Sequence, residues 1–481
     1  MIRARTIAFW MLAAALLAAH AIVVWHSLAA RFWEDEAFNL TVPLNLLAGL
    51  GYSSDGALSG SMITPFDPRI STGPTVLLPV AAVLALGVDP VIGARMVPVA
   101  FWMLLVGGLA VLGTRTAGRW AGLVTAAVPL AFNGFGSVSP IQGPADLLGE
   151  IPAAALLVWA LIVLPRRAWL AGLLVGLAVQ AKLIALLALP AFAVTLWVLA
   201  PGHGVSRLWA ALKSSWLPLV LVGMPTLLVE IAALLSLGPA GYVDHLRALR
   251  AFVRGGGQHF EPTTVAQKVE TLTGAWFVPG WVALVAAIVA AVLTLSGLIV
   301  TSDAAARRPA LTLALAGIIG SASFVGWWAT ASHLPLWVRH PAAGVLAFFP
   351  VLAITAVWGV RRLWSAGVVG RVLGGLGMLA LAGSIAWSIA GHVAYTFAPR
   401  SETLASQRAA VEPIREWVAQ TGTEWLAAQP WGAAVAPIVL SGAHVGLADA
   451  PSMADAPRLA GLQCQTPVLV EGSRYRVCAA P

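Results

Sequence analysis

Three adjacent carboxylates, Glu34, Asp35 and Glu36, are the side chains of this 481-residue sequence best placed to do chemistry. They directly follow the first long apolar run and the aromatic residues Phe32 and Trp33. Mutual repulsion and partial removal from water favour a carboxylate that accepts a proton, as a general base does. A solvated acidic turn at the start of a helix would carry the same residues, because carboxylates are stabilised near a helix N-terminus. The pattern alone leaves both interpretations open.

The elements that position these acids are predicted to lie in a membrane. Hydrophobic residues make up 59% of the chain and charged residues only 10%, whereas soluble domains carry about 25% charged residues. Apolar runs of membrane-spanning length recur from residue 7 to about residue 396. Arg3 and Arg5 precede the first run, and no small-residue cleavage site follows it, so we expect a retained first helix. The chain is predicted to be an all-α polytopic membrane protein.

Eleven apolar runs are predicted to be spanning helices. One further apolar stretch, 74–88, is short and begins at Gly73-Pro74. We expect it to form a juxtamembrane helix in the first outer loop rather than to cross the bilayer. The predicted spans are 7–28, 91–113, 120–136, 148–164, 168–181, 183–200, 216–238, 279–301, 310–331, 341–360 and 372–396.

The charge pattern predicts the orientation of these spans. With the N-terminus in the cytoplasm, every inner connection carries a basic cluster, as the positive-inside rule requires. Eleven of the 13 carboxylates before residue 397 then lie on the outer side, with Asp303 inside and Glu230 in a span. Acids contribute little to topology, so their distribution independently indicates an outward-facing polar site. Only three of the 28 basic residues are Lys, and Ala, Gly, Val and Leu dominate, a bias associated with GC-rich bacterial genomes, so we expect a bacterial inner membrane. The basic clusters are Arg3/Arg5, Arg115/Arg119, Arg166/Arg167, Arg207/Lys213, Arg307/Arg308 and Arg361/Arg362/Arg371.

The chain divides into a membrane domain, 1–397, and an extracytoplasmic domain, 398–481. The membrane domain includes two long outer loops, at 29–90 and 239–278. Residues 402–420 have the pattern of an amphipathic helix, and short apolar segments separated by turns follow, which predicts a small α/β module. Cys464 and Cys478 both lie in this tail and could pair only in an oxidising compartment.

Several classes of function are disfavoured. The formal charge of +8 does not indicate nucleic-acid binding, because the basic residues lie in short clusters between spans rather than on one face. No phosphate-cradling Gly-rich loop follows a strand, and no Asp-x-Asp pair lies on the cytoplasmic side, which argues against use of ATP or a nucleotide sugar. No Cys/His cluster has ligand spacing, so a metal is not expected. The outward histidines are His245, His259, His333 and His340.

The acidic pair Asp35-Glu36 after the first span resembles the signature of the GT-C glycosyltransferases. This membrane superfamily includes the protein O-mannosyltransferases and the aminoarabinose transferases of lipid A. Other family motifs follow in the same order over about 390 residues. Gly93–Pro98 is similar to the family's Ala-Arg-Leu-Pro run, Gly172–Gly176 with Lys182 to its Gly-Leu-x-x-x-Lys run, and Trp337–Pro341 to its Arg-Tyr-x-x-Pro element.

Two further segments occupy family positions with differences. Gly149-Glu150-Ile-Pro152 opens the fourth span, where relatives carry a second acid. Ile70–Thr75 stands where relatives have a His/Lys-Pro-Pro segment, but it contains Thr72-Gly73-Pro74 instead of the charged residue that some relatives place there. The metal site of those relatives is therefore not expected here.

The resemblance implies an inverting transfer of a sugar from a polyprenyl-phosphate donor to an acceptor hydroxyl on a glycan, lipid or protein, without a soluble cofactor. Asp35 matches the catalytic base, with Glu36 in second place. A guanidinium bonds phosphate oxygens bidentately, so Arg339 is the first candidate to receive the departing phosphate. The other candidates for substrate binding are Glu34, Thr72, Arg95, Glu150, Lys182, His333, His340 and the set Arg247/Arg250/Arg254.

Other interpretations of these residues stay open. Arg339 could be an interfacial snorkelling residue, and Glu230 could make a structural hydrogen bond between helices. The Gly255–Gly257 run in the loop 239–278 could make that loop a mobile lid or a solvated connection. The alternative function is a transporter or flippase for a lipid-linked or polar solute, supported by Lys182 and Glu230 in apolar surroundings. Against it, the acids gather on one face and no internal repeat is evident.

Overall fold

The computed structural model describes residues 2–481 except 57, 59–61, 133–140, 142, 255–260, 277–278 and 431. Most of the described chain is helical. The helices are α1 Ile2–Leu28, α2 Glu34–Leu47, α3 Pro74–Leu84, α4 Pro90–Ala117, α5 Arg119–Ala131, α6 Glu150–Val163, α7 Ala168–Ala181, α8 Leu189–Leu199, α9 Gly204–Arg254, α10 Val265–Gly274, α11 Gly280–Val300, α12 Ala304–Thr330, α13 Arg339–Trp364, α14 Val368–Thr396, α15 Leu404–Thr421 and α16 Val435–Ser441.

The chain is a multi-pass membrane protein. Seven of its described helices, α1, α4, α9, α11, α12, α13 and α14, are long and apolar enough to cross a membrane. Four shorter apolar helical segments accompany them, including α3 and the stretch Leu183–Leu199, which begins as a 3-10 turn. Each of the eleven predicted spans overlaps a helix, and some of these helices extend beyond the predicted bounds. The number that actually cross the bilayer stays a prediction.

Helix α13 forms the centre of the bundle and packs against α4, α5, α6, α11, α12 and α14. Glycines allow the close approach that membrane helices need in the absence of a hydrophobic driving force. A Cβ on Gly359 would lie 2.0 Å from the carbonyl oxygen of Leu293, and a Cβ on Gly344 would lie 2.1 Å from the ring of Phe324. These two positions fix α13 against α11 and α12.

Helix α9 extends beyond the predicted span 216–238. It continues through a kink at Gly238, whose φ of 69° is in the left-handed region, and Pro239 follows. The positive φ and the missing proline N–H together interrupt the helical hydrogen bonding. The first half of the predicted outer loop is thus helical through Arg254. The triple glycine and His259 of that loop lie outside the described residues.

Three cations, of which Arg95 and Lys268 are buried, cap the C-terminal ends of helices, where carbonyl groups lack intrahelical partners. Arg95 donates to the carbonyls of Leu28 and Ala30 after α1, at 2.8 Å each. Lys268 Nζ lies 2.6 Å from two carbonyls at the end of α12, and Arg308 bonds three carbonyls at the end of α8. These side chains are committed to the fold.

The two ends of the bundle differ in charge. At one end, Arg361 lies against the α4–α5 connection and Arg119 lies over Phe9, 4.9 Å from its ring centroid. Arg308, near the start of α12, caps the end of α8, and both of these helix termini lie at this same end of the bundle. The carboxylates after α1 gather at the opposite end. The predicted separation of acids from basic connections is present in the fold, whereas the facing of each end in the membrane stays a prediction.

Residues after α14 form a small α/β module, in agreement with the predicted character of the tail. Strand β3 lies beside β4 and β5 in parallel, and β7 pairs antiparallel with β5 and β6. Cys464 and Cys478 are joined in a disulfide with Cα atoms 5.6 Å apart. The strands of the chain are β1 Ser53–Asp55, β2 Ile63–Pro65, β3 Trp425–Ala428, β4 His444–Leu447, β5 Arg458–Ala460, β6 Val468–Glu471 and β7 Arg476–Cys478, with sheet order β4-β3-β5-β7-β6 in the tail.

Candidate active site

Each of the three adjacent acids faces a different arginine. They form the first turn of α2, where the exposed N–H groups of the helix also favour negative charge. Glu34 pairs with Arg31 at 3.0 Å, Glu36 pairs with Arg95 at 2.6 Å, and Asp35 pairs with Arg339. The repulsion expected among the acids is therefore offset by three separate cations, and the three carboxylates have different surroundings.

Glu36 and Arg95 form a buried ion pair. Their side chains are 0% and 1% exposed, and the backbone N–H of Leu147 donates to Glu36 Oε1 at 3.1 Å. The N–H groups of Arg95 also donate hydrogen bonds to the backbone carbonyls of Leu28, Ala30 and Arg31. A substrate has no access to either charge in this arrangement. Among the two candidate bases, the geometry favours Asp35.

Asp35 and Arg339 form an ion pair that the fold brings together across 304 positions of sequence. Arg339 opens α13 and its guanidinium lies 4.4 Å from the ring centroid of Trp337 and 5.6 Å from that of Trp33. The Asp35 side chain remains 16% exposed, more than either partner of the buried pair. Aromatic faces orient the planar guanidinium while leaving its N–H edge free to bond oxygen.

Glu150 and Lys182 form a second pair in this region, with Nζ 3.0 Å from Oε1. Glu150 begins α6 and Lys182 ends α7 with extended backbone. Neither oxygen of Glu150 has a well-directed hydrogen bond among the described residues, so the lysine charge is what offsets the burial of this carboxylate. Lys182 keeps 18% side-chain exposure, which makes it the second accessible cation of the site.

Glycines let three helix ends meet at this pair. A Cβ on Gly149 would lie 2.0 Å from the carbonyl oxygen of Ala181, and a Cβ on Gly73 would lie 2.1 Å from that of Gln180. Gly73 N also donates to the Ala181 carbonyl at 3.1 Å. The starts of α3 and α6 are therefore pressed against the end of α7, which carries Lys182.

The other predicted substrate-binding residues have mixed positions. Thr72 is buried, and its hydroxyl accepts a hydrogen bond from Asn39 Nδ2 at 3.0 Å, so it supports α2. His340 follows Arg339 and lies 5.5 Å from the Trp337 ring, and its Nδ1 has no hydrogen-bond partner in the described chain. His333 lies exposed in the connection before α13.

A second polar cluster, not recognised from the sequence as a unit, holds α9 to the first outer loop. Asp67 pairs with Arg69 at 2.6 Å and with His245 at 3.1 Å. Burial opposes ionisation of Asp67, but the bonds from His245 and Arg69 hold its pKa well below the ordinary value. Glu230 pairs with Arg69 at 3.4 Å and accepts a hydrogen bond from Tyr242 at 2.5 Å. This supports the structural interpretation of Glu230.

The C-terminal module is anchored to the same loop by Asp55. Its Oδ2 accepts from the backbone N–H of Val445 at 3.1 Å and lies 3.1 Å from His444 Nδ1. The hydrogen bond with Asp55 raises the pKa of His444 above its ordinary value, against the opposing effect of burial. Protonated His444 therefore contributes to docking of the module.

We expect docking of the C-terminal module to weaken as the pH rises. The contribution of His444 is fully present below the pKa of the unfolded chain, about 6.5, and is lost as the pH passes through the raised folded value. The effect should be a few-fold in amide exchange of β4 between pH 6 and pH 8.5, since the pair is partly exposed. His444→Gln should abolish this difference once intrinsic exchange rates are corrected, and His203→Gln at the other end should keep it. A pH dependence that survives His444→Gln would contradict the assignment.

Among the described residues, no three His, Cys, Asp or Glu side chains lie together in a way that could hold a metal ion. The ionic groups near Asp35 are instead arranged as pairs of opposite charge. The arrangement places the partly exposed carboxylate of Asp35 beside Arg339, with Lys182 at the end of α7 in the same region.

Comparison with solved structures identifies this architecture as the GT-C fold of membrane glycosyltransferases. ArnT from Cupriavidus metallidurans bound to undecaprenyl phosphate matches with a TM-score of 0.61 at 14% identity, over 98% of this chain and 97% of that one. ArnT in the apo state matches with a TM-score of 0.57 at 14% identity, over 98% of each chain.

An oligosaccharyltransferase from Archaeoglobus fulgidus, in complex with zinc and sulfate, matches with a TM-score of 0.50 at 12% identity. That match covers 88% of this chain and 61% of the archaeal one. No protein-family model matches the sequence, and no curated protein shows significant similarity to it. The resemblance predicted from the sequence motifs is thus confirmed at the level of the fold.

Proposed function

We propose that this chain is an inverting glycosyltransferase that moves a sugar from a polyprenyl-phosphate donor to an acceptor hydroxyl. The observation that carries the proposal is the pairing of Asp35 with Arg339 at the acidic end of a GT-C bundle. A general base and a phosphate-binding cation are the two groups this reaction needs, and here they lie side by side. One similar structure holds undecaprenyl phosphate, which supports a donor of that chemistry.

In the proposed reaction the proton of the acceptor hydroxyl passes to a carboxylate oxygen of Asp35. The acceptor oxygen forms a bond to the anomeric carbon while the bond from that carbon to the phosphate oxygen breaks. The bonding electrons leave with the polyprenyl phosphate, whose charge is stabilised by Arg339 and Lys182. Attack opposite the leaving group inverts the anomeric configuration.

The pairs seen in the structure suggest how the donor prepares the base. In the structure Arg339 pairs with Asp35, and Lys182 pairs with Glu150. A donor phosphate would compete for both cations, because charge-assisted bonds to phosphate oxygens are strong. Binding of the donor would then release Asp35 towards the acceptor. In this proposal the donor binds before the acceptor hydroxyl is activated.

We also place the site on the extracytoplasmic side. The basic connections lie at the far end of the bundle from Asp35, and basic connections face the cytoplasm. The orientation and the reaction can be tested together in right-side-out vesicles that contain the purified protein and labelled undecaprenyl-phosphate sugars. An impermeant acceptor added outside should become glycosylated, with release of undecaprenyl phosphate and an inverted anomeric configuration by NMR.

The same assay separates the two classes of function. A carrier would move the labelled donor between leaflets and leave it chemically intact. Donor consumption that occurs only when the acceptor is on the cytoplasmic side would overturn the orientation. Failure to consume any sugar of the panel, with acceptors from all three chemical classes, would overturn the reaction.

Arg339→Gln is expected to lower kcat/KM for the donor by about 10²- to 10³-fold, the usual loss on removing one stabiliser of a developing negative charge. Arg339→Lys should recover part of the loss, because it restores the charge without the bidentate fork. Steady-state kinetics with a fixed acceptor concentration measure the effect. The control is Arg415→Gln, which breaks the exposed pair of Arg415 with Glu412 in α15. A wild-type donor kcat/KM in folded Arg339→Gln would remove Arg339 from the phosphate site.

A further inference from the structure

We propose that Gln407, in the C-terminal module, is a positioning residue for Asp35. This inference rests on the proposed function, because it assigns Gln407 to the geometry of the proposed base. Gln407 does not contact the carboxylate itself. It acts through the short segment that connects α1 to α2.

The contact is a pair of hydrogen bonds, here called the clasp, between the side-chain amide of Gln407 and the backbone N–H and C=O groups of one residue, Phe32. The N–H of Phe32 donates to Gln407 Oε1 at 2.6 Å, and Gln407 Nε2 donates to the carbonyl of Phe32 at 2.8 Å. Gln407 is 1% exposed and Phe32 is also 1% exposed, so water cannot replace either bond. Buried backbone N–H and C=O groups left without partners would be costly. The clasp thus holds the two consecutive peptide groups that flank the Cα of Phe32.

The clasp completes a strand-like pairing between the segment and the start of α15. Ala30 forms an antiparallel bridge with Thr403, and Leu404 N donates to the Ala29 carbonyl at 3.2 Å. Gln407 extends this pairing to Phe32 with its side chain, because by that point the partner chain has entered a helix. Thr403 caps that helix in a capping box with Ser406, which holds the first turn of α15 in place.

The distance along the chain from the clasp to the proposed base is short. Trp33 has extended backbone, with φ −122° and ψ 174°, and its side chain does not cap α2. Asp35 follows two residues later, in the first turn of the helix. The direction of that turn is therefore set from outside α2. Arg95 holds the carbonyls up to Arg31, and Gln407 provides the next anchor of this connection, at Phe32. Within α2 itself, Glu36 is held by Arg95 and by the N–H of Leu147.

The position of Asp35 matters because its carboxylate must lie beside Arg339 and must also reach the hydroxyl of the acceptor. A displacement of about 1 Å at a reacting group can reduce a rate by about 10²-fold. Through Gln407, the folding of the C-terminal module would fix the position of the proposed base, Asp35. The module would then act in catalysis without contributing a group to the reacting atoms.

The test compares Gln407→Met with Arg408→Gln in the full-length protein in nanodiscs. Methionine keeps the length of the side chain but can neither donate nor accept as the amide does. Arg408 is the next residue of α15 and pairs with Asp89 at 2.7 Å, so its loss weakens docking of the same helix at a point away from α2. Two readouts are taken on each variant: the rate at which a carbodiimide modifies Asp35, by mass spectrometry, and the steady-state kinetics of transfer.

In Gln407→Met the carbodiimide should modify Asp35 at least three-fold faster than in the wild type, because Asp35 is released from Arg339. The substitution should also lower kcat by about ten- to a hundred-fold without raising the donor KM. Arg408→Gln should match wild type in both readouts. Thermal midpoints in nanodiscs, measured for both variants, show whether the protein is folded.

The outcomes separate this inference from the proposed function. Wild-type modification of Asp35 in folded Gln407→Met would overturn the positioning role, whatever the enzyme transfers. Faster modification of Asp35 together with a wild-type kcat would also overturn it, since the displacement would then not affect the reaction. If the wild-type protein transfers no sugar, faster modification would still establish that Gln407 holds Asp35, and the proposed function alone would fail. Equal effects of both variants would show that general docking of α15, rather than the clasp, is responsible.

Discussion

Asp35→Asn is expected to reduce sugar transfer by about 10²- to 10⁴-fold, the contribution typical of a general base. Asparagine has nearly the same shape and can still accept a hydrogen bond from Arg339, but it cannot take the proton of the acceptor hydroxyl. The donor KM should not rise and should fall somewhat, because a neutral asparagine no longer competes with the donor phosphate for Arg339. Transfer of labelled sugar under single-turnover conditions measures the effect on the chemical step.

The control for this variant is Asp89→Asn. Asp89 is exposed and pairs with Arg408, and its Oδ1 also caps the start of α4, a bond that asparagine can keep. This substitution removes one negative charge on the same side of the bundle and should leave transfer unchanged. Full activity of folded Asp35→Asn would exclude Asp35 as the base. Glu150 would then be the next carboxylate to test, because Glu36 is enclosed by its arginine.

Arg95→Met is expected to destabilise the protein by about 3–5 kcal/mol, because it leaves the Glu36 charge buried without a partner. The carbonyls of Leu28, Ala30 and Arg31 would also lose their donor. The matched control is Arg31→Met, which breaks a more exposed pair with Glu34 and should cost less than about 1 kcal/mol. Reversible unfolding in mixed detergent micelles measures both variants.

The double variant Arg95→Met/Glu36→Met identifies the source of this effect. Removing both charges should recover part of the lost stability, since no unpaired buried carboxylate remains. Recovery should be incomplete because the three carbonyls still lack a donor. If Arg95→Met is no more destabilising than Arg31→Met, the Glu36–Arg95 pair does not hold α1, α2 and α4 together as its burial indicates.

These predictions assign different tasks to three neighbouring acids. Glu36 joins α2 to α4, Glu34 pairs locally with Arg31, and Asp35 pairs with Arg339 at the start of α13. Lys182 keeps 18% side-chain exposure, whereas Arg95 and Lys268 are buried and committed to helix ends. The chemistry is therefore confined to few side chains, and the surrounding charges hold those side chains in place.

Much of the architecture could be predicted from the sequence. Spanning helices depend on the local composition of about 20 residues, because a bilayer requires each apolar segment to satisfy its own backbone. Hydropathy therefore located the helices, and the basic clusters separated the two ends of the bundle. The acids after the first helix were identified because ionisable groups near a bilayer are rare and costly. The alternation of apolar segments and turns after residue 397 likewise indicated the α/β module.

The partners of these acids depended on the tertiary structure. Asp35 contacts Arg339, which lies 304 positions later in the sequence, and Phe32 contacts Gln407, which lies 375 positions later. Contacts between residues so far apart cannot be read from the order of residues in the chain. Gln407 and Lys268 gave no sequence signal of their roles, since an amide or a lysine is common on solvated surfaces. The helical segment that follows the kink at Gly238 was also missed, because a glycine followed by proline usually marks a helix end. Local composition decides which segments enter the membrane, whereas the packing of the whole chain decides which charges neutralise one another and which stay available for chemistry.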